Sequence, residues 1–243
     1  MSRRTRAFAA LFATAALALM VGAGSASATF HLIKIRSIFR GPSPTGAFVE
    51  LQMYADGQNH VGGHQLRVYP ATGTLFSAYN LPADVANGQN QRRILLGDTA
   101  APGTPDVTLP GLGTDLTNFA SGGAICWDVV DCVSWGNRTG TLPSPAGTPI
   151  AGGLSGSQVS VRTITRGCPT ALDVADDTDD SAADFGFAVG YGMRNNTLAP
   201  IETLCPTSTP STPAKKKCKK HKKKTGAYSA KKKCKKKKHH AVA

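Results

Sequence analysis

The C-terminal thirty residues of the sequence, 214–243, contain no acid and a single aromatic, Tyr228, and no long apolar run occurs beyond the first residues of the chain. Without acids or apolar side chains, that last stretch has nothing to neutralise its charge and nothing to bury, which excludes a packed domain there. One aromatic gives little basis for stacking nucleic-acid bases. Outside residues 7–21, no stretch approaches the roughly 20 apolar residues that a membrane helix needs. Catalytic patterns are missing too. No phosphate-binding glycine loop occurs, and no histidine stands in a triad setting. Gly153-Leu154-Ser155-Gly156-Ser157 approaches a nucleophile elbow but ends on Ser157 where that motif needs glycine. These gaps argue against an enzyme, with a hydrolase of unrecognised site as the remaining catalytic reading, and move the functional question to binding.

What is present is divided unevenly along 243 residues. Apolar residues make up 41%, enough to build a core in one large domain or two small ones. The formal net charge is +13, yet all fifteen acids lie between Glu50 and Glu202, and only ten basic residues oppose them within residues 29–206. Residues 29–206 therefore carry −5, and the tail carries fifteen lysines. They are Lys215, Lys216, Lys217, Lys219, Lys220, Lys222, Lys223 and Lys224, then Lys231, Lys232, Lys233, Lys235, Lys236, Lys237 and Lys238. Such asymmetry marks an interaction tail.

At the other end, Arg3, Arg4 and Arg6 precede the apolar run 7–21, and Ala26-Ser27-Ala28 forms a small-residue cleavage site. Residues 1–28 read as a secretory signal peptide, so the expected location is extracellular. In that setting six cysteines are read as disulfide partners. Cys126 and Cys132 would face each other across a hairpin turning at Asp128-Val129-Val130. Cys168 and Cys205 would tie the end of the domain back onto it. Four cysteines allow three pairings, and this one is preferred.

Residues 29–206 predict an all-β domain. Period-two alternation runs through Ile33, Ile35 and Phe39, through Val49, Leu51 and Met53, and around Leu66, Val68, Val133, Trp135, Val159 and Val161. Gly and Pro pairs punctuate these segments, as in a sandwich or barrel. No sustained helical period is visible, although a helical turn capped by Asp180 or Ser181 is expected near residues 180–185. A Ser/Thr/Pro linker follows at 207–213, and the basic tail 214–243 should be disordered.

Several segments, in order, resemble strands of the lamin-tail-like (LTD) domain family. They are Ala47-Phe48-Val49-Glu50-Leu51, Gly63-His64-Gln65-Leu66-Arg67-Val68, Val130-Asp131-Cys132-Val133-Ser134-Trp135-Gly136 and Gln158-Val159-Ser160-Val161-Arg162. Asp177-Thr178-Asp179-Asp180-Ser181-Ala182-Ala183-Asp184-Phe185 is similar to the family's closing segment. The resemblance covers most of residues 29–205 and implies an immunoglobulin-like β-sandwich of the bacterial secreted type, acting as an accessory module. Ala47 stands where the family has an acid and His64 where it has Trp, so no ligand site of the family carries over.

Three further groups invite chemical readings. The dense acids Asp176, Asp177, Asp179 and Asp180 could supply oxygens to calcium, although the loop lacks the Gly and terminal Glu of a helix–loop–helix calcium site. Their other reading is a cluster of turns and caps. His60 and His64 have metal-pair spacing, but Gly62-Gly63 between them breaks helical presentation. Cys218 and Cys234 lie in a repeated Lys-Lys-Lys-Cys-Lys-Lys block, where neighbouring cations activate the thiols for crosslinking. The tail lysines suit any polyanion. The expected partners are anionic cell-envelope polymers or lipid headgroups, with extracellular nucleic acid as the alternative, and no cofactor other than calcium is suggested.

Overall fold

The computed structural model describes residues 30–206, all but the last of which belong to a compact unit that ends at Cys205. The expected signal peptide, the linker 207–213, all fifteen tail lysines, Cys218 and Cys234 lie outside the described residues. Two β-sheets form a sandwich. Ten strands run in chain order as β1 (Ile33–Phe39), β2 (Phe48–Met53), β3 (Gln65–Pro70), β4 (Ser77–Asn80), β5 (Arg93–Gly97), β6 (Val107–Thr108), β7 (Gly122–Trp127), β8 (Asp131–Gly136), β9 (Val159–Arg162) and β10 (Phe185–Ala188). The larger sheet has the order β10-β9-β1-β2-β5-β6, and the smaller has β4-β3-β7-β8. All neighbours are antiparallel except β5 and β6.

The core is what alternation predicts for strands with one face turned inward. Ile33, Ile35, Val49, Leu51, Met53, Leu66, Val68, Ile125, Trp127, Val133 and Trp135 meet between the sheets with no exposed surface. Each such side chain contributes roughly 1.5–3 kcal/mol by leaving water. The two indoles keep their N–H groups satisfied: Trp127 Nε1 donates to Phe30 O at 3.2 Å and Trp135 Nε1 to Phe119 O at 2.8 Å.

The alternation fails once, in β1. Ile35 pairs with Leu51 and Ser37 with Glu50, so Arg36 is an extra residue in a β-bulge. A bulge shifts the faces of all residues beyond it. Ile38 therefore enters the core, and Phe39, expected inside, goes to the outer face beside Phe48, with ring centroids 5.4 Å apart.

Two helices complete the unit. Helix α1 (Leu112–Asn118) was not visible as a helical period, because seven residues are too few to show one. Its position depends on Gly113: a Cβ there would lie 2.1 Å from Pro44 O, and the Gly113 N–H donates to Asp98 Oδ2 at 2.7 Å. The single turn α2 (Ser181–Asp184) lies where expected, capped by Asp180, whose side chain accepts from the Ala183 N–H at 3.0 Å.

Candidate functional site

The resemblance-bearing segments fall on β2, β3, β8, β9 and the approach to β10, and three of them converge on Arg162. This arginine is 1% exposed at the inner end of β9. Its Nη2 reaches both carboxylate oxygens of Asp131 on β8, at 3.1 and 2.9 Å. Its Nη1 reaches Asp177 Oδ1 at 3.0 Å and Asp184 Oδ2 at 3.4 Å, and its Nε donates to Ile35 O at 3.0 Å. Lys34 pairs with Asp177, and Arg166 Nη1 lies 2.9 Å from Asp184 Oδ1. The guanidinium also sits over the Phe185 ring at 4.8 Å. Asp131 joins the sheets directly, because its Oδ2 accepts from the Ile35 N–H at 2.6 Å.

The electrostatics follow from this packing. Burial works against the charged form of Arg162, but Asp131, then Asp177 and Asp184, outweigh it and hold the guanidinium's pKa above its ordinary value. Burial would likewise raise Asp177, yet Arg162 and Lys34 prevail and keep its carboxyl below the usual range. Asp131, itself buried, is pushed up by that burial against the pull of Arg162 and Lys34.

This knot occupies the acids that the sequence left between a calcium site and a cluster of turns and caps. Asp176 is fully buried, and its oxygens accept from the backbone N–H groups of Thr165 and Arg166, both at 3.0 Å, and Asp173 at 3.2 Å. Asp177 faces Arg162 and Lys34. Asp180 caps α2, and the Asp179 N–H leans on Asp177 Oδ1 at 3.3 Å. The carboxylates diverge toward separate backbone donors and cations, so they serve the turn-and-cap reading. Among the described residues, no group of three or more His, Cys, Asp or Glu side chains could hold a metal ion. His60 and His64 also separate, pairing with Asp84 at 2.8 Å and Asp128 at 2.9 Å. The Ser155 hydroxyl accepts from the Ser157 and Gln158 N–H groups and so closes its own loop.

A second charged cluster lies on the outer face of the larger sheet, and nothing in the sequence pattern announced it. The chain after β10 crosses that face as a strap. Glu50, fully buried on β2, accepts from Ser37 Oγ at 2.8 Å, Tyr191 OH at 2.6 Å, the Arg194 N–H at 2.6 Å and Arg93 Nη1 at 3.4 Å. Arg93 Nη2 continues to Glu202 Oε1 at 2.5 Å. Asn196 adds bonds to the Asn87 backbone on both its N–H, at 2.8 Å, and its carbonyl, at 2.9 Å. Burial, with Glu50 beside it, pushes the Tyr191 hydroxyl up. Burial opposes ionisation of Glu202, but Arg93 overcomes it and holds that carboxyl below its usual value.

The strap ends in a covalent bond. Cys168 and Cys205 form a disulfide with Cα atoms 5.6 Å apart, across 37 residues of chain. Closing such a loop contributes about 4 kcal/mol in the entropic account. Cys126 and Cys132 form the other, directly opposite each other in the β7–β8 ladder with Cα atoms 4.1 Å apart, across the turn at Asp128-Val129-Val130. Both bonds are compatible with an extracellular setting. No helix among the described residues is long and apolar enough to cross a membrane.

No protein-family model, curated protein or solved structure matches the chain.

Proposed function

We propose that this chain is a secreted, non-catalytic binding or structural module with an LTD-like sandwich, held at an anionic surface of the cell envelope by its lysine-rich tail. The observation that carries the reading is the separation of charge: −5 over residues 29–206 against fifteen lysines and no acid over 214–243. The internal pairing of the sandwich supports the division of labour. Lys34, Arg67, Arg93, Arg162 and Arg166 each hold a carboxylate within the fold. That leaves few cations on the sandwich for an outside polyanion, and the tail supplies the rest. Lysines neutralise polyanions without reading sequence or shape, and they release counterions as they do so. The disulfide at Cys205 fixes the last described segment immediately before the linker, so a load on the tail would be borne by a covalent bond.

The LTD-like part of the reading is supported by the convergence of its segments. Asp131, Arg162, Asp177 and Asp184 come from three separate resembling stretches and share one ionic knot.

Sedimentation with purified envelopes tests the proposal. The full chain should co-sediment at low salt and be released as salt rises, and a chain ending at Pro213 should stay in solution. Equal sedimentation of both chains would refute the tether. Retention on DNA that outcompetes wall polymer would instead favour the nucleic-acid reading.

A further inference from the structure

The bulge that reverses β1 also leaves a cation without a partner. Arg36 is the inserted residue, so it lies with Ser37 on the outer face of the larger sheet. Its Nε and Nη1 are buried and make no hydrogen bond. Buried donors are nearly always satisfied, so two on one guanidinium call for an explanation. The nearby carboxylate cannot supply one. Glu50 already accepts four hydrogen bonds, two on each oxygen, which fills a carboxylate's capacity. Glu202 is taken by Arg93 and the Ile201 N–H.

Arg36 lines a groove of about 390 Å³, bounded by residues 161–165 and 186–188; Arg162 is among them, but its guanidinium is already committed to Asp131, Asp177 and Asp184. That volume lies at the small end of small-molecule sites. The walls are mainly apolar, and the neighbouring Thr163 hydroxyl already donates to Asp184 O at 3.1 Å. Gly186 keeps the groove open. It sits opposite Val161 in the β9–β10 ladder, so a side chain there would point to the same face. A Cβ on Gly186 would meet only Thr163 Cγ2, at 4.0 Å.

We infer that this groove binds a small monocarboxylate with a short apolar body, the carboxylate on the Arg36 guanidinium and the apolar body along Val161, Gly186 and Ala188. One guanidinium balances one negative charge, and a carboxylate accepts its planar donors well. A phosphate dianion would be left half-neutralised against apolar walls. The site belongs to the sandwich and does not depend on the tail.

The test is calorimetric titration of the full chain, with NMR of the arginine Nε–H signals as a second readout. Hexanoate serves as a free acid, and acetyl-glycyl-valine as a peptide end carrying the same group. At least one should bind at a single saturable site and move one arginine signal, the one missing from Arg36→Gln. Whichever acid binds names the source. Hexan-1-ol and inorganic phosphate should leave that signal in place. Gly186→Val, which fills the groove without backbone strain, should weaken binding at least tenfold while its melting curve stays that of the parent. Because Arg36→Gln removes a buried charge, Gly186→Val decides alone if that variant fails to fold. Failure of both acids to bind, equal response to hexanol or phosphate, or undiminished binding in Gly186→Val would overturn the assignment.

Discussion

The two faces of the larger sheet each hold a cluster of buried charge, and the clusters differ in what they join. Inside, Arg162 gathers Asp131, Asp177 and Asp184 and links β9 to the opposite sheet and to α2. Outside, Glu50 and Arg93 gather Tyr191, Arg194 and Glu202 and link β2 and β5 to an irregular strap. The first cluster is part of how the sandwich closes. The second fastens a segment that the sheets would not need in order to pair. Removing a member of the first should therefore damage the whole fold, and removing a member of the second should loosen the strap alone. Buried ion pairs are poor sources of net stability but costly to break, and that cost is what makes the difference measurable.

The largest effect is expected from Arg162→Met. It leaves Asp131 buried without its ion-pair partner, while Asp177 and Asp184 keep only Lys34 and Arg166, and the denaturation midpoint should fall by the equivalent of about 3–5 kcal/mol. A loss confined to the strap would show that the two clusters do not divide the work as described. Next is the paired change Cys168→Ser with Cys205→Ser. Its ceiling is about 4 kcal/mol from loop entropy. Proteolysis should appear first within residues 189–205, with the sandwich still intact by near-ultraviolet circular dichroism. Simultaneous loss of both would mean that the strap is integral to the sandwich.

Glu202→Gln should cost about 1–2 kcal/mol near neutral pH, the usual worth of a hydrogen bond to a charged group. Its pH dependence sharpens the comparison. The Glu202 carboxyl is held below its ordinary 4.5 in the folded protein. Its contribution is thus fully present above about pH 4.5 and disappears as pH falls through the lower, folded value. The stability gap between parent and variant should close in that window, as measured by urea titrations at several pH values. A gap that persists well into acid would remove the ion pair as its cause. The smallest effect is expected from Asp180→Ala, which removes the α2 cap and its bond to the Ala183 N–H, for a loss of about 1 kcal/mol.

The sequence made the half-buried strands legible because each turns one face to the core and one away. Alternation in residues 33–35 carries that information; residues 49–53 are buried on both faces but stayed legible because polar Glu50 and Gln52 alternate with Val49, Leu51 and Met53. Two other strands buried on both faces were hidden because their outward residues are not regularly polar. Arg93–Gly97 and Gly122–Trp127 are buried throughout, so their residues do not alternate. The faces beyond Arg36 were misread because a bulge adds a residue without any compositional mark. The Arg162 knot was half legible. Its acids stood out as a cluster, but their count suggested a cation from solution, and the cation proved to be an arginine from a distant strand. The strap was not legible, since Tyr191, Arg194 and Glu202 carry no periodicity and acquire meaning only against Glu50 and Arg93. Both disulfides match the pairing preferred among the three that four cysteines allow, a choice guided by the hairpin spacing and by the position of Cys205 beside the linker.

The central claim is that the sandwich pairs most of its charges internally, Arg36 apart, and that the tail does the holding. Binding of the full chain and of residues 29–206 to vesicles containing anionic lipid, over a series of salt concentrations, tests it most directly. The account predicts that the full chain binds with an affinity that falls steeply and log-linearly with salt, and that residues 29–206 do not bind at any salt used. Comparable binding by residues 29–206, or a full-chain affinity indifferent to salt, would contradict it.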